Sequence, residues 1–128
     1  MKLLLDTHAL IWAADAPYRL SKVAFTVIND AGNERFLSAA TIWEVAVKVG
    51  LKKLNLSQPF LPWMNHAIAD LAIDVLPITV EYADVQANLP DHHRDPFDRL
   101  MIAQAIVESL TIVSVDPWFD HYQVKRLW

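Results

Sequence analysis

Residues 3–8 read LLLDTH, a short apolar run that ends at an acidic residue, Asp6. Apolar residues at consecutive positions are typical of a strand that is covered on both faces, as in a parallel sheet. Residues 112–115 read IVSV, are rich in β-branched side chains and are followed by Asp116. The two segments therefore predict two buried strands, each with a carboxylate at its carboxyl end.

Weaker strand patterns and helical patterns alternate along the rest of the chain. The weaker strand candidates are residues 35–38, 74–76 and 124–127. Apolar residues at helical spacing recur in 20–28, 42–49, 59–71, 79–89 and 100–110. Alternating strands and helices predict an α/β fold, a three-layer α/β/α sandwich with a mostly parallel central sheet. The 128 residues carry no internal repeat or linker, so we expect a single domain spanning 1–128.

Composition excludes several classes of protein. The chain has no cysteine, which removes disulfide scaffolds, thiol catalysis and cysteine zinc sites. With only two glycines it cannot form a glycine-rich phosphate loop. The net charge of -4 excludes nucleic-acid binding through bulk positive charge. The opening apolar run is too short for a signal peptide or a membrane span, so we expect a cytoplasmic protein without a membrane partner.

Acidic residues recur where strands give way to helices. Asp6 and Asp116 follow the two best strands, Glu44 lies near the start of the helix after 36–38, and Asp95 and Asp98 open the helix that contains 100–110. Ligands of open parallel sheets bind outside the carboxyl ends of the strands. We therefore expect these carboxylates to share one edge of the sheet.

Each acid also has a simpler structural interpretation. Thr41 and Glu44 fit a capping box, and Glu44 is spaced to pair with Lys48 at i+4. Asp95 followed by Pro96 fits a helix start, and Asp6 and Asp116 are also candidate caps. Carboxylates gathered at one edge would, however, repel one another without a cation. The combination favours a hard divalent cation, Mg²⁺ or Mn²⁺.

Four motifs contain these acids in order: LLDTHAL at 4–10, SAATIWE at 38–44 with KVG at 48–50, HRDPFDRL at 93–100 with AQA at 103–105, and SVDPWF at 114–119. Together they resemble the motifs of the PIN-domain family, and more narrowly those of VapC-type toxin ribonucleases from type II toxin–antitoxin pairs. The resemblance covers the whole chain. It implies an α/β/α sandwich, an endoribonuclease that depends on Mg²⁺ or Mn²⁺, a cognate VapB-type antitoxin and usually a homodimer.

The resemblance also implies roles for individual residues. Asp6, Glu44, Asp98 and Asp116 match the four acidic positions of the family and are the expected catalytic residues. Asp6, Asp98 and Asp116 are the expected metal ligands, with Glu44 acting through a water molecule. Asp95 matches an additional acid of the DPFD subgroup, to which we assign a secondary role. The implied reaction is hydrolysis of an RNA phosphodiester bond.

Basic and aromatic residues supply candidate contacts to partners. Arg94 and Arg99 neighbour the acids and are candidate substrate-binding residues. Arg99 could instead pair with Asp95. Trp43 is expected to face the core, whereas Trp12 and Trp63 lie in apolar stretches that could form a partner groove or pack in the core.

Two other classes of function remain open at this point. A metal-dependent nuclease that is not a toxin, acting on RNA or DNA, would use the same carboxylates. An inactive PIN-like binding module would share the fold but is expected to have lost acids, and all four are present here. A haloacid-dehalogenase phosphatase is excluded, because it needs a second Asp where this chain has His8.

Overall fold

The computed structural model describes residues 1–92 and 95–128, so the predicted substrate contact of Arg94 lies outside the described residues. Five strands are present in this part of the chain: β1 (Lys2–Leu5), β2 (Glu34–Ser38), β3 (Ile73–Leu76), β4 (Thr111–Val113) and β5 (Lys125–Leu127). The α-helices are α1 (Thr7–Asp15), α2 (Lys22–Asn29), α3 (Ala39–Gly50), α4 (Phe60–Asp70), α5 (Val80–Ala87) and α6 (Pro96–Glu108). Short 3₁₀ helices lie at Pro17–Arg19 and Pro117–His121. Among the described residues, no helix has both the length and the apolar character needed to cross a bilayer.

The five strands form one sheet in the order β3-β2-β1-β4-β5, and every neighbouring pair is parallel. β1 lies at the centre, where Leu4 is in register with Phe36 of β2 and with Ile112 of β4. The chain builds one half of the sheet as β1, β2 and β3, and then crosses to β4 and β5. The strand order therefore reverses between β1 and β4, which is where ligands of such sheets bind.

Helices cover both faces of the sheet. Successive side chains of a strand point to opposite faces, so Leu3 and Leu5 contact one layer and Leu4 the other. All three are 0% exposed, as the apolar run predicted. Leu3 and Leu5 pack with residues of α1, α2, α3 and α4, whereas Leu4 packs with Met101 and Phe119, from α6 and the second 3₁₀ helix. The predicted α/β/α sandwich is confirmed.

Helix α1 had no predicted counterpart. It begins immediately after β1, where the Asp6 carboxylate accepts a 2.8 Å hydrogen bond from the backbone N–H of Ala9 and so caps the helix. Its sequence, THALIWAAD, is apolar at most positions and shows only a weak helical period. The alternative interpretation of Asp6 as a cap is therefore correct, and this turn fixes the carboxylate at the end of β1.

Helix α3 begins earlier than its capping pattern predicted. Ser38 is the N-cap and accepts a 3.2 Å hydrogen bond from the N–H of Ala40, so the helix starts at Ala39. Thr41 and Glu44 consequently lie inside the helix, and the predicted capping box between them is wrong. Thr41 is instead buried against the sulfur of Met101, and Glu44 lies one turn further into the helix.

Of the three tryptophans considered from the sequence, only Trp43 contradicts its predicted position. Trp43 was expected in the core but is 63% exposed. The buried side of α3 carries Thr41, Glu44 and Val45, and Trp43 lies on another side of the helix. Trp63 is only 3% exposed, and its indole N–H donates to Asp15 at 2.9 Å, so of its two predicted positions it takes the one in the core. Trp12 is partly buried beside the Trp128 ring, with a centroid separation of 5.7 Å.

Candidate functional site

A cleft of about 250 Å³ opens at the carboxyl ends of β1 and β4, where the strand order reverses. All five acids singled out from the sequence line it. The lining residues are Asp6, Thr7, His8, Glu44, Lys48, Asp95, Asp98, Val115, Asp116 and Phe119. Four segments of the chain that are distant in sequence therefore meet at this edge of the sheet.

Asp6 and Glu44 are the most buried of the five carboxylates, and each is only 7% exposed. For Asp6 this burial has a clear electrostatic consequence. Burial raises the pKa of this carboxyl, since the charged form loses its hydration. Hydrogen bonds from the Ser114 hydroxyl and the Ala9 N–H favour the ionised form but do not outweigh the burial. The nearby charge of Asp116 raises the pKa further. A cation at this position would compensate the buried charge.

Both carboxylate oxygens of Glu44 are engaged. The Thr7 hydroxyl donates to Oε1 at 2.6 Å, and the Lys48 ammonium lies 2.6 Å from Oε2. Glu44 and Thr7 are buried, whereas the side chain of Lys48 is 42% exposed at the mouth of the cleft. The interpretation of Glu44 and Lys48 as an i,i+4 ion pair is thus confirmed, and the pair lies within the cleft.

Ser114 connects the ends of the two central strands. Its side chain is fully buried, and its hydroxyl oxygen accepts the N–H of Asp116 at 3.0 Å while the hydroxyl also bonds the Asp6 carboxylate. β4 ends at Val113, two residues earlier than predicted, because Ser114 and Val115 lead into this turn. Asp116 then caps the following 3₁₀ helix, accepting from the N–H of Trp118 at 2.9 Å.

The start of α6 supplies the remaining two acids. Asp95 is its N-cap, and its Oδ1 accepts from the N–H groups of Phe97 at 2.9 Å and Asp98 at 3.3 Å, as the helix-start pattern predicted. Asp98 lies in the first turn and lines the cleft. The guanidinium of Arg99 donates to the carbonyls of Gln86, Leu89 and Pro90 and so ties the end of α5 to α6. A substrate contact of Arg99 stays a prediction.

The donor atoms of the cleft are of the type that a hard divalent cation prefers. The cleft offers carboxylate oxygens, which Mg²⁺ and Mn²⁺ prefer, and burial raises the pKa of one of its carboxyls, that of Asp6. Asp6, Asp95 and Asp116 each use one oxygen as a helix cap. A carboxylate has a second oxygen, so capping and metal binding are compatible.

The acids do not form a ready-made coordination sphere. Within residues 1–92 and 95–128, no three histidine, aspartate or glutamate side chains converge closely enough to hold a metal ion. Repulsion between carboxylates without a cation is the physical reason to expect this separation. In addition, Thr7 and Lys48 hold Glu44 through both of its oxygens. A metal ion would have to draw these side chains together.

The sequence itself matches a family model described as "PIN domain" over residues 3–125. The chain belongs to the PIN domain family. This assignment confirms the resemblance carried by the four motifs. No curated protein is significantly similar to this PIN domain in sequence.

Several solved structures share this fold. One is VapBC2 from Rickettsia felis bound to a DNA fragment from its promoter: 13% identity, a TM-score of 0.71, and coverage of 100% of this chain and 99% of that one. Another is FitAB bound to the IR36 DNA fragment, with 20% identity, a TM-score of 0.64 and coverage of 98% and 93%. FitAcB from Neisseria gonorrhoeae has 20% identity, a TM-score of 0.65 and coverage of 98% and 96%. At these identities the likeness extends to the fold.

Sequence reasoning missed the contact between Thr7 and Glu44 in this PIN domain. The two residues are 37 positions apart, and neither periodicity nor capping chemistry relates them. The one available signal was the position of Thr7 directly after Asp6, at the edge where the carboxylates were expected to gather.

Proposed function

We propose that this PIN domain is the toxin of a type II toxin–antitoxin pair and an endoribonuclease that depends on Mg²⁺ or Mn²⁺. One observation carries the proposal: five carboxylates from four segments line a single cleft where the strand order reverses. Structural caps alone would not need to meet in one cleft. The family supports a nuclease, and the similar folds of VapBC2 and FitAB support a toxin.

In this proposal Asp6, Asp98 and Asp116 hold the cation, and Glu44 completes the site through a water molecule. A divalent cation bound there would bind a phosphate oxygen and lower the pKa of a water molecule. Asp6 is fixed for this role by its cap and by Ser114.

Two further residues of the chain keep this constellation in place. Thr7 orients Glu44 through the bond to Oε1, and Asp95 sets the start of α6 and with it the position of Asp98. Lys48 brings a positive charge to the mouth of an otherwise acidic cleft, where a phosphate must enter.

The partners follow from the same proposal. The substrate is RNA, which places the action in the cytoplasm, and the inhibitor is a VapB-type antitoxin. We also propose that the protein forms a homodimer, which light scattering would test, and that the whole chain is a single domain. An acidic cleft attracts a basic side chain as well as a metal, so an antitoxin arginine or lysine there would oppose metal binding.

The test is cleavage of single-stranded RNA and DNA with Mg²⁺, Mn²⁺ or a chelator. We expect RNA cleavage that needs metal and is lost in Asp98→Asn, which keeps the shape of the side chain and removes its charge. Asp74→Asn is the matched control, because Asp74 is exposed on β3 and outside the cleft.

Three outcomes would overturn parts of the proposal. Wild-type cleavage by Asp98→Asn at saturating metal would refute the assignment of the site. Cleavage of DNA alone would make the protein a DNA nuclease. A folded protein that cleaves neither polymer would be an inactive binding module.

A further inference from the structure

Four aromatic rings lie in a row beside the cleft. The rings of Trp118 and His121 are 5.0 Å apart between centroids, those of His121 and His92 are 5.9 Å apart, and those of His92 and Tyr122 are 5.4 Å apart. Trp118 is 50% exposed, and both histidines are exposed at the surface. The fourth ring, that of Tyr122, is buried. We call the three exposed residues, Trp118, His121 and His92, the aromatic row.

The 3₁₀ helix Pro117–His121 explains why these rings face outward together. Side chains three residues apart eclipse one another in a 3₁₀ helix, so Trp118 and His121 share one side of it. Phe119 and Tyr122, which are also three apart, are buried in the core on the other side. The segment is therefore anchored by two aromatic residues and presents two others to solvent.

Hydrogen bonds fix the backbone segments that carry the row. Asp120 and Arg126 form two 2.9 Å contacts, and Arg126 also donates to the Ser114 carbonyl at 3.1 Å. The Tyr122 hydroxyl donates to the Pro90 carbonyl at 3.1 Å and accepts the N–H of His92 at 3.2 Å. A ring on a backbone that is already fixed leaves less conformational entropy to be lost when a ligand stacks on it.

The row is continuous with the cleft. The N–H of Trp118 donates to the Asp116 carboxylate, and Val115 and Phe119, which precede and follow that segment, line the cleft. We propose that Trp118, His121 and His92 form a stacking surface for the bases of single-stranded RNA whose phosphate backbone enters the cleft. This inference rests on the proposed function, because it assigns a binding surface for the same substrate.

Stacking suits both the row and the substrate. Unpaired bases stack on the faces of tryptophan, histidine and tyrosine, and this contact tolerates many sequences. The chain carries a net charge of -4, so it lacks the general positive charge that would otherwise supply affinity for RNA. Aromatic stacking provides affinity for a polyanion without adding positive charge to the surface.

The test measures binding of a short fluorescein-labelled single-stranded RNA, at low salt with a chelator to prevent cleavage. We expect Trp118→Ala to weaken binding roughly 5- to 100-fold, the range for loss of one base–aromatic contact. His121→Ala is expected to act in the same direction. Tyr18→Ala is the matched control, because Tyr18 is an aromatic residue with 85% exposure outside the cleft and the row, and it should bind as the wild type does.

A second RNA separates stacking from contact with phosphates. It has the same ribose–phosphate chain with abasic sites in place of bases. We expect wild type to bind this RNA at least as weakly as Trp118→Ala binds the complete RNA, because all base contacts are lost. Trp118→Ala should bind the abasic RNA about as weakly as the wild type does. Equal losses from Trp118→Ala on the complete and the abasic RNA would overturn the inference, since the residue would then not act through bases.

Two other results would also overturn the inference. Each can be distinguished from failure of the proposed nuclease function. If Trp118→Ala binds RNA normally while the wild type cleaves it with metal, the stacking surface is refuted and the nuclease stands. If the variant binds RNA normally but loses affinity for the antitoxin, the row is a protein-docking surface. Absence of both binding and cleavage by the wild type would instead refute the nuclease and the stacking surface together.

Discussion

Replacing Thr7 with valine tests how Glu44 is held, because valine keeps the β-branched shape and loses only the hydroxyl. The hydroxyl donates a 2.6 Å hydrogen bond to a carboxylate, and both residues are buried. Hydrogen bonds to charged groups contribute about 1.5–3 kcal/mol, and water cannot easily replace the lost donor at a buried site. We therefore expect the free energy of unfolding to fall by about 1.5–3 kcal/mol, which lowers Tm by roughly 5–15 °C for a chain of this length.

The matched control is Thr26→Val on α2. Thr26 is exposed, and its hydroxyl donates to the carbonyl of Lys22, so the same chemical change should cost no more than about 0.5 kcal/mol. Urea unfolding of Thr7→Val, Glu44→Gln and the double variant gives the coupling between the two side chains. We expect a coupling of at least about 1 kcal/mol. Additive effects, or a Thr7→Val variant as stable as Thr26→Val, would refute the arrangement.

Three further predictions concern other carboxylates. In metal-free buffer Asp6→Asn should be neutral or stabilising in thermal unfolding, because it removes a buried charge and asparagine caps as well as aspartate; a large loss would contradict this. Burial opposes ionisation of Asp15, but hydrogen bonds from Ser57 and Trp63 outweigh it and hold the pKa of this carboxyl below its ordinary value of 3.8. The ionised carboxylate therefore stabilises the folded state at pH values above the pKa of the unfolded state. This stabilisation is lost as the pH falls through the lower pKa of the folded state. Asp15→Ala should therefore cost about 1–2 kcal/mol at neutral pH and little in strong acid, as urea unfolding at both pH values would show. Asp95→Ala should cost about 1 kcal/mol in the same assay and Asp95→Asn only a few tenths, since asparagine retains the cap.

Local chemistry predicted much of the fold. The run Leu3-Leu4-Leu5 identified the central strand, because residues buried on both faces must be apolar at consecutive positions. The start of α6 was predicted from Asp95 and Pro96 for a similar reason, since capping depends on residues a few positions apart. Helix α1 escaped prediction because its apolar residues are nearly continuous and show little period.

The site was predicted as a set of carboxylates and not as a set of contacts. Parallel topology is enough to bring the acids that follow β1 and β4 to one edge. The partner of Glu44 depends on the packing of α1 against α3, and that packing is long-range information. Trp43 shows the same limit, because its exposure depends on which side of α3 faces the sheet and not on its own hydrophobicity.

The most direct test of the central claim is calorimetric titration of the metal-free protein with Mn²⁺, which needs no knowledge of the RNA substrate. We predict saturable binding to the wild type and to Asp74→Asn, and binding weakened roughly 10- to 100-fold or more in Asp6→Asn and Asp98→Asn. Circular dichroism should show that all four proteins are folded. Absence of binding to the wild type, or equal affinity in all four proteins, would contradict a metal site in this cleft.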